Sequence, residues 1–168
     1  MENQLVTTKS SQNILLFCVL LAVFVVPTSI SGTAIVLASI NSELHSNAVT
    51  LQWVVNSFNL TFACFTLAWG GLADVFGSKK SFLLGSTLYF MASIFSWMAQ
   101  DIYMLDISRA IAGIGGAAIF SCGSAILIKE FSGEQRTKAF ALFGTTAGVN
   151  IVKWWPLFNV AVVHYLSF

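Results

Sequence analysis

Few residues in this chain could do chemistry, and their spacing does not suit an enzyme. Eight Lys and Arg and seven Asp and Glu are spread over 168 residues. The densest polar cluster is Gly70-Gly71-Leu72-Ala73-Asp74-Val75-Phe76-Gly77-Ser78-Lys79-Lys80, a tight turn between two long apolar runs. Asp74 supplies a carboxylate for charge-assisted hydrogen bonds, and Lys79 and Lys80 supply cations to a membrane surface. Arg109 is a cation inside an apolar stretch. Such a residue costs roughly 2.5–3.5 kcal/mol on insertion scales, and residues of this kind usually face a cavity. The competing reading is snorkelling to the nearby outer surface, helped by Asp106 one turn earlier. Gly113 and Gly116 share the arginine's helical face, which favours the inward reading and close approach of another helix. His45 and His164 are isolated, and Cys18, Cys64 and Cys122 each lie alone in an apolar run. The chain therefore shows no catalytic pair, metal-ligand set, disulfide framework or cofactor site, and an intramembrane enzyme is not supported.

The elements that must position these residues are membrane helices. The composition is 57% hydrophobic and 9% charged, against about a quarter charged in soluble domains, and the mean hydropathy is +0.81. No basic stripe is present to bind nucleic acid. Four apolar stretches approach or exceed the ~20 residues that cross a bilayer: 14–40, 51–73, 81–100 and 104–128. A fifth starts near Ala139 and is interrupted by Lys153. Backbone groups in hydrocarbon must be satisfied within their own segment, so the expected fold is all-α and integral to the membrane. The first stretch also fits a cleaved secretory signal with core 14–26, but its apolar character continues to Ile40, too far for a signal core. Pro27, in the middle of that stretch, removes one helical hydrogen bond and bends the rod.

Loop charge sets the orientation. Lys9, Lys79, Lys80, Lys129, Arg136 and Lys138 all fall on the side of the N-terminus, while loops 41–50 and 101–103 carry no Lys or Arg. The N-terminal tail, residues 1–13, is expected to be cytoplasmic. On the second helix, Gln52, Asn56, Asn59, Ala63, Thr66, Gly70 and Asp74 recur at steps of three and four and form a polar, small stripe. Val54, Phe58, Phe62, Phe65 and Trp69 form a bulky stripe expected to face lipid. The polar stripe is expected to face other helices or a wet cavity, with Asn56 and Asn59 as cavity-facing candidates. Each asparagine alone could equally serve as hydrogen-bonding glue between helices. Asn59-Leu60-Thr61 matches a glycosylation sequon but lies at mid-membrane, and the glycine-rich Ala112–Gly116 run follows no strand that would suit phosphate binding.

These residues resemble a known family. Gly70, Leu72, Ala73, Asp74, Gly77, Lys79 and Lys80 match the loop between helices two and three of the major facilitator transporters. Leu105, Arg109, Gly113, Gly115, Gly116, Ala117 and Ala118 resemble that family's fourth-helix pattern. Leu51-Gln52-Trp53-Val54-Val55 looks like the drug:proton antiporter branch, particularly its fungal fourteen-helix members. The resemblance covers residues 14–149, a partial N-terminal half of such a transporter. It implies proton-coupled export of drugs or metabolites across a plasma or vacuolar membrane, with small-molecule substrate, protons and lipid as partners and no cofactor. Asp74 would then be the gate residue of a loop containing Gly70, Gly77, Lys79 and Lys80, and Arg109 the transport or proton-coupling cation. Val75 and Ser78 stand where arginines are common, Ala112 replaces the usual Gln, and Gly32 stands where this branch often has an acid. Gly144 and Gly148 begin to resemble the fifth-helix glycine pattern, but 150–168 diverges into Lys153-Trp154-Trp155-Pro156. That tail reads as a truncation or gene-model artefact. The alternative function is a truncated, non-transporting membrane fragment that associates with a full-length relative.

Overall fold

The structure, a computed structural model, describes the backbone over 9–44 and 48–148 and the side chains over 11–33 and 49–148. The expected tail 150–168 with its Lys153, residues 1–8 of the N-terminal tail, and His45 lie outside the described residues. Four helices follow in order: α1 (Lys9–Leu44), α2 (Ala48–Phe76), α3 (Ser78–Trp97) and α4 (Ile102–Glu130). A further helical stretch, α5, runs over 133–148. It starts six residues before the expected position, because the polar residues 133–138 still form helix on the amphipathic approach to the apolar run. The described residues are helical with short connections, as the apolar runs require.

Among the described residues three helices contain segments long and apolar enough to cross a membrane: Ser11–Thr33, Val49–Phe76 and Ile102–Glu130. α3 falls short by composition. Its 20 residues open with Lys79 and Lys80 and include six Ser or Thr, although at 1.5 Å per residue it spans about 30 Å. α1 is 36 residues and contains Pro27 within its length.

Many hydroxyl groups in the helices bond back to the preceding turn, so their polarity is met locally. Thr33 donates to the Ser29 carbonyl at 2.8 Å, Ser86 to Phe82 at 2.8 Å and Ser93 to Tyr89 at 2.9 Å. This is how an apolar rod can carry many Ser and Thr in a medium without water.

α4 is the central element, with α2 packed on one side and α3 on the other. Its middle, Ala112–Ile119, is built almost wholly of small residues, and all but Ile114 are buried. The core joins Val19, Val23 and Val26 of α1 with Phe58, Tyr89, Ile119, Ile126 and Leu127. Phe120 links α2 to α5 through edge-on ring contacts, 5.5 Å to Phe62 and 5.7 Å to Phe143.

One expectation about α2 is corrected. Val54 and Phe58, assigned to lipid, are 0% and 2% exposed, while Phe62 and Trp69 are half-buried and Phe65 is exposed. Apolar attraction does not choose helix partners in lipid; fit does. Gly116 lies open to the Phe58 and Phe62 rings, so a hypothetical β-carbon there would approach each to 3.3 and 3.4 Å. The bulky stripe enters the bundle because α4 leaves space for it.

Candidate functional site

Two polar regions occupy opposite ends of the bundle. The first surrounds the α2–α3 turn. Gly77 is the single residue between the two helices and has φ +91°, a conformation that L side chains rarely adopt. The turn delivers Ser78, Lys79 and Lys80 to the start of α3, beside the C-terminal end of α4. Lys79 Nζ lies 2.6 Å from a Glu130 carboxylate oxygen, and Lys129 Nζ donates to Ser78 Oγ at 2.9 Å. Gly70 lies against Ser121 of α4. Asp74 and Lys80 are exposed, and among the described residues nothing pairs with either.

Several carbonyls at the end of α4 beside this turn are answered by side chains. Arg136 donates to the carbonyls of Ile128 at 2.8 Å and Phe131 at 3.0 Å, and Gln12 of α1 donates to Glu130 at 3.2 Å. Cationic side chains at a helix C-terminus also complement its dipole. Glu130 was not singled out from sequence as part of this region. The available signal was Glu130 beside Lys129, where the fourth apolar run meets its basic flank.

The second region surrounds Arg109. Its Nη1 donates to Ser29 Oγ of α1 at 2.8 Å, across 80 residues of sequence. The side chain is therefore directed into the bundle, in agreement with the inward reading. Tyr89 of α3, 6% exposed, has its hydroxyl beside the Ser29 side chain and near the guanidinium. Arg109 also lines a crevice of about 10 Å³ with Ile30, Thr33, Val54, Val55 and Phe58. A void of that size has room for about one water molecule and lies far below the roughly 300–1,000 Å³ that organic ligands occupy. Ser29 and Tyr89 were missed from sequence because their helices' relative rotation cannot be read from periodicity.

Gly113 and Gly116 are both buried in helix contacts. A β-carbon at Gly113 would collide with Thr61 Oγ1 and the Phe58 carbonyl of α2. Close approach also permits Thr61 Oγ1 to donate to the Ala110 carbonyl at 2.8 Å. On the other side, a β-carbon at Gly115 would come within 2.6 Å of the Tyr89 nitrogen, and Gly85 of α3 packs directly on Ala118. Gly85 is a close-packing glycine that the sequence reading did not assign to that role, whereas Gly115 lies in the glycine-rich run that it did. Asn56 and Asn59 are exposed on α2, on a different side from Phe58 and apart from Arg109. Among the described residues no group of three His, Cys, Asp or Glu could hold a metal ion.

Comparison with known proteins accounts for this arrangement. Residues 19–153 match the family model described as Major Facilitator Superfamily. The chain is 30% identical over 129 residues to an MFS-type transporter of Aspergillus terreus, covering 77% of this chain and 23% of that protein. It is 31% identical over 137 residues to a cephamycin export protein of Amycolatopsis lactamdurans, covering 81% of this chain and 28% of the relative. It is 32% identical over 136 residues to the methylenomycin A resistance protein of Bacillus subtilis, covering 80% and 29% respectively. The chain thus spans roughly a quarter of the length of these curated relatives. With the family match covering most of its length and including both the α2–α3 turn and Arg109, the chain belongs to the Major Facilitator Superfamily.

Proposed function

We propose that this chain forms part of a proton-coupled exporter of small organic molecules, of the drug:proton antiporter type, with its N-terminus in the cytoplasm. The observation that carries the reading is Arg109, whose guanidinium is held inside the bundle by Ser29 and lines a crevice. Intramembrane cations that face the bundle interior mark ion and substrate pathways. The names of two relatives, one exporting an antibiotic and one conferring resistance to another, support the export direction.

In this reading Asp74, with Gly70, Gly77, Lys79 and Lys80, gates the cytoplasmic end. Its exposed, unpaired carboxylate suits a partner on another part of a complete transporter. Asn56 and Asn59 face the substrate cavity. Proton binding changes the relative stability of inward- and outward-open states. Alternating access moves two repeat units around a site near the midplane, so transport is proposed for an assembly that includes more than these helices. A second reading, a non-transporting fragment that binds a full-length relative, draws on the small volume of the Arg109 crevice.

The test joins residues 1–149 to the remaining helices of the Aspergillus terreus relative and measures dye efflux in proteoliposomes. The chimera should export dye only under a proton gradient. Asp74→Asn and Arg109→Ala should each lower efflux at least tenfold without lowering the amount inserted, and the 168-residue chain alone should export none. Gradient-independent efflux, or full activity in both variants, would overturn the reading; strong efflux by the 168-residue chain alone would overturn the need for further helices.

A further inference from the structure

The Arg109 region contains polar atoms that the structure leaves unanswered. Ser57 Oγ, Asp106 Oδ1 and Arg109 Nε are each enclosed without a hydrogen-bond partner. Their positions are related by the helix register. α2 and α4 run in the same direction, with Leu51 and Val54 packed on Ile102 and Leu105 at one end, and Cys122 close to the Trp69 carbonyl farther along. Between those contacts Thr61 donates to Ala110, an offset of 49 residues. Ser57 and Asp106 are each four residues earlier, and 106 − 57 gives the same offset. One helical turn toward the Leu51 end therefore brings the unanswered hydroxyl and the unanswered carboxylate to the same level of one interface.

The other described carboxyls are differently placed. Asp74, Asp101 and Glu134 are exposed, and Glu130 pairs with Lys79. Asp106 makes no ion pair among the described residues, although Arg109 is three residues away on the same helix and bonded instead to Ser29. Only Oδ1 of this half-buried carboxyl is enclosed, and an oxygen enclosed without a donor disfavours the charged form.

We propose that Asp106 is the proton-binding carboxyl of this bundle and that its protonation decides which partner Arg109 holds. Hydronium gives one proton to the carboxylate, forming one O–H bond and leaving water. The neutral acid then donates to Ser57 Oγ, and Arg109 remains on Ser29 of α1. Loss of the proton restores the carboxylate, which draws the guanidinium back along α4 and away from Ser29. The charged and titratable groups around this exchange are Arg109 from α4 and Tyr89 from α3; the described parts of α1 and α2 contribute the hydroxyls Ser29, Thr33 and Ser57. The proposal deepens the proton-coupled reading above and rests on it only for the use made of the proton.

Infrared difference spectroscopy of the full 168-residue chain in lipid tests it without requiring transport. Acidification should produce a protonated-carboxyl C=O band whose hydrogen exchanges slowly with deuterium. Asp106→Asn should abolish that band, while Asp74→Asn and Asp101→Asn should retain it. Ser57→Ala leaves the carboxyl in place and should shift the band to higher frequency, which keeps the proposal testable if Asp106→Asn does not fold. A slow band that survives in Asp106→Asn, or an unshifted band in Ser57→Ala, would overturn it. Failure of the chimera to export with the band intact would refute the transport reading alone; export with no such band would refute this proposal alone.

Discussion

α2 and α4 have equal length, yet among the described helices one is central and the other peripheral. Each is 29 residues. In their most apolar stretches 61% of α4 is buried but only 11% of α2. The difference follows from side-chain volume. α4 has Gly113, Gly115, Gly116, Ala117 and Ala118 in succession, so neighbours approach from both sides. α2 carries Phe58, Phe62, Phe65 and Trp69, which fill a gap on one side and hold other helices away elsewhere. Lipid solvates an apolar side chain as well as protein does, so a membrane helix becomes central through the absence of bulk.

The largest test of this contrast is Gly113→Leu. Its side chain would meet the α2 backbone at Phe58, which cannot move aside. We expect a loss of about 3 kcal/mol, the upper end of overpacking costs, read from unfolding in mixed micelles. Gly115→Val should be nearly as damaging on the α3 side, where the obstacle is the Tyr89 backbone. Mild effects at both positions would break the comparison.

Smaller effects sharpen it. Thr61→Ala removes the hydrogen bond between α2 and α4 and should cost about 0.6 kcal/mol, the average for interhelical bonds in membranes, in the same unfolding measurement. Lys79→Ala should cost at most about 0.5 kcal/mol, and less in high salt, because Lys79 is 61% exposed and its pair with Glu130 is screened. Leu67, on the open side of α2 at 86% exposure, should tolerate Ala within about 0.5 kcal/mol.

Much of the architecture was legible in the order of residues. Long apolar runs separated by polar turns mark the helices, since backbone satisfaction leaves no alternative in lipid. Helix ends differed from expectation by several residues because polar positions such as Ser78–Lys80 and 133–138 remain helical beyond the apolar run. The inward direction of Arg109 was legible from the glycines on its side. The orientation of α2 was not, because its polar stripe and its bulky stripe are both regular, and periodicity states that two faces exist without stating what each touches. The partners of the polar atoms were hidden for the same reason. Ser29, Tyr89 and Glu130 enter their regions through the rotation and register of whole helices, which depend on volumes summed over many side chains.

The joint at Gly77 has a mechanical consequence. Two rods meet at a single residue, with no slack between the last turn of α2 and the first turn of α3. A tilt of one rod about this elbow must either swing the other or twist the glycine itself. Sliding past one another is denied to them, because no spare chain can be paid out. Both rods bear on α4 as on a common fulcrum, so a push at the exposed Asp74 end is delivered at the far ends as angular travel. This one-residue connection thereby makes α2 and α3 a lever pair rather than two independent struts.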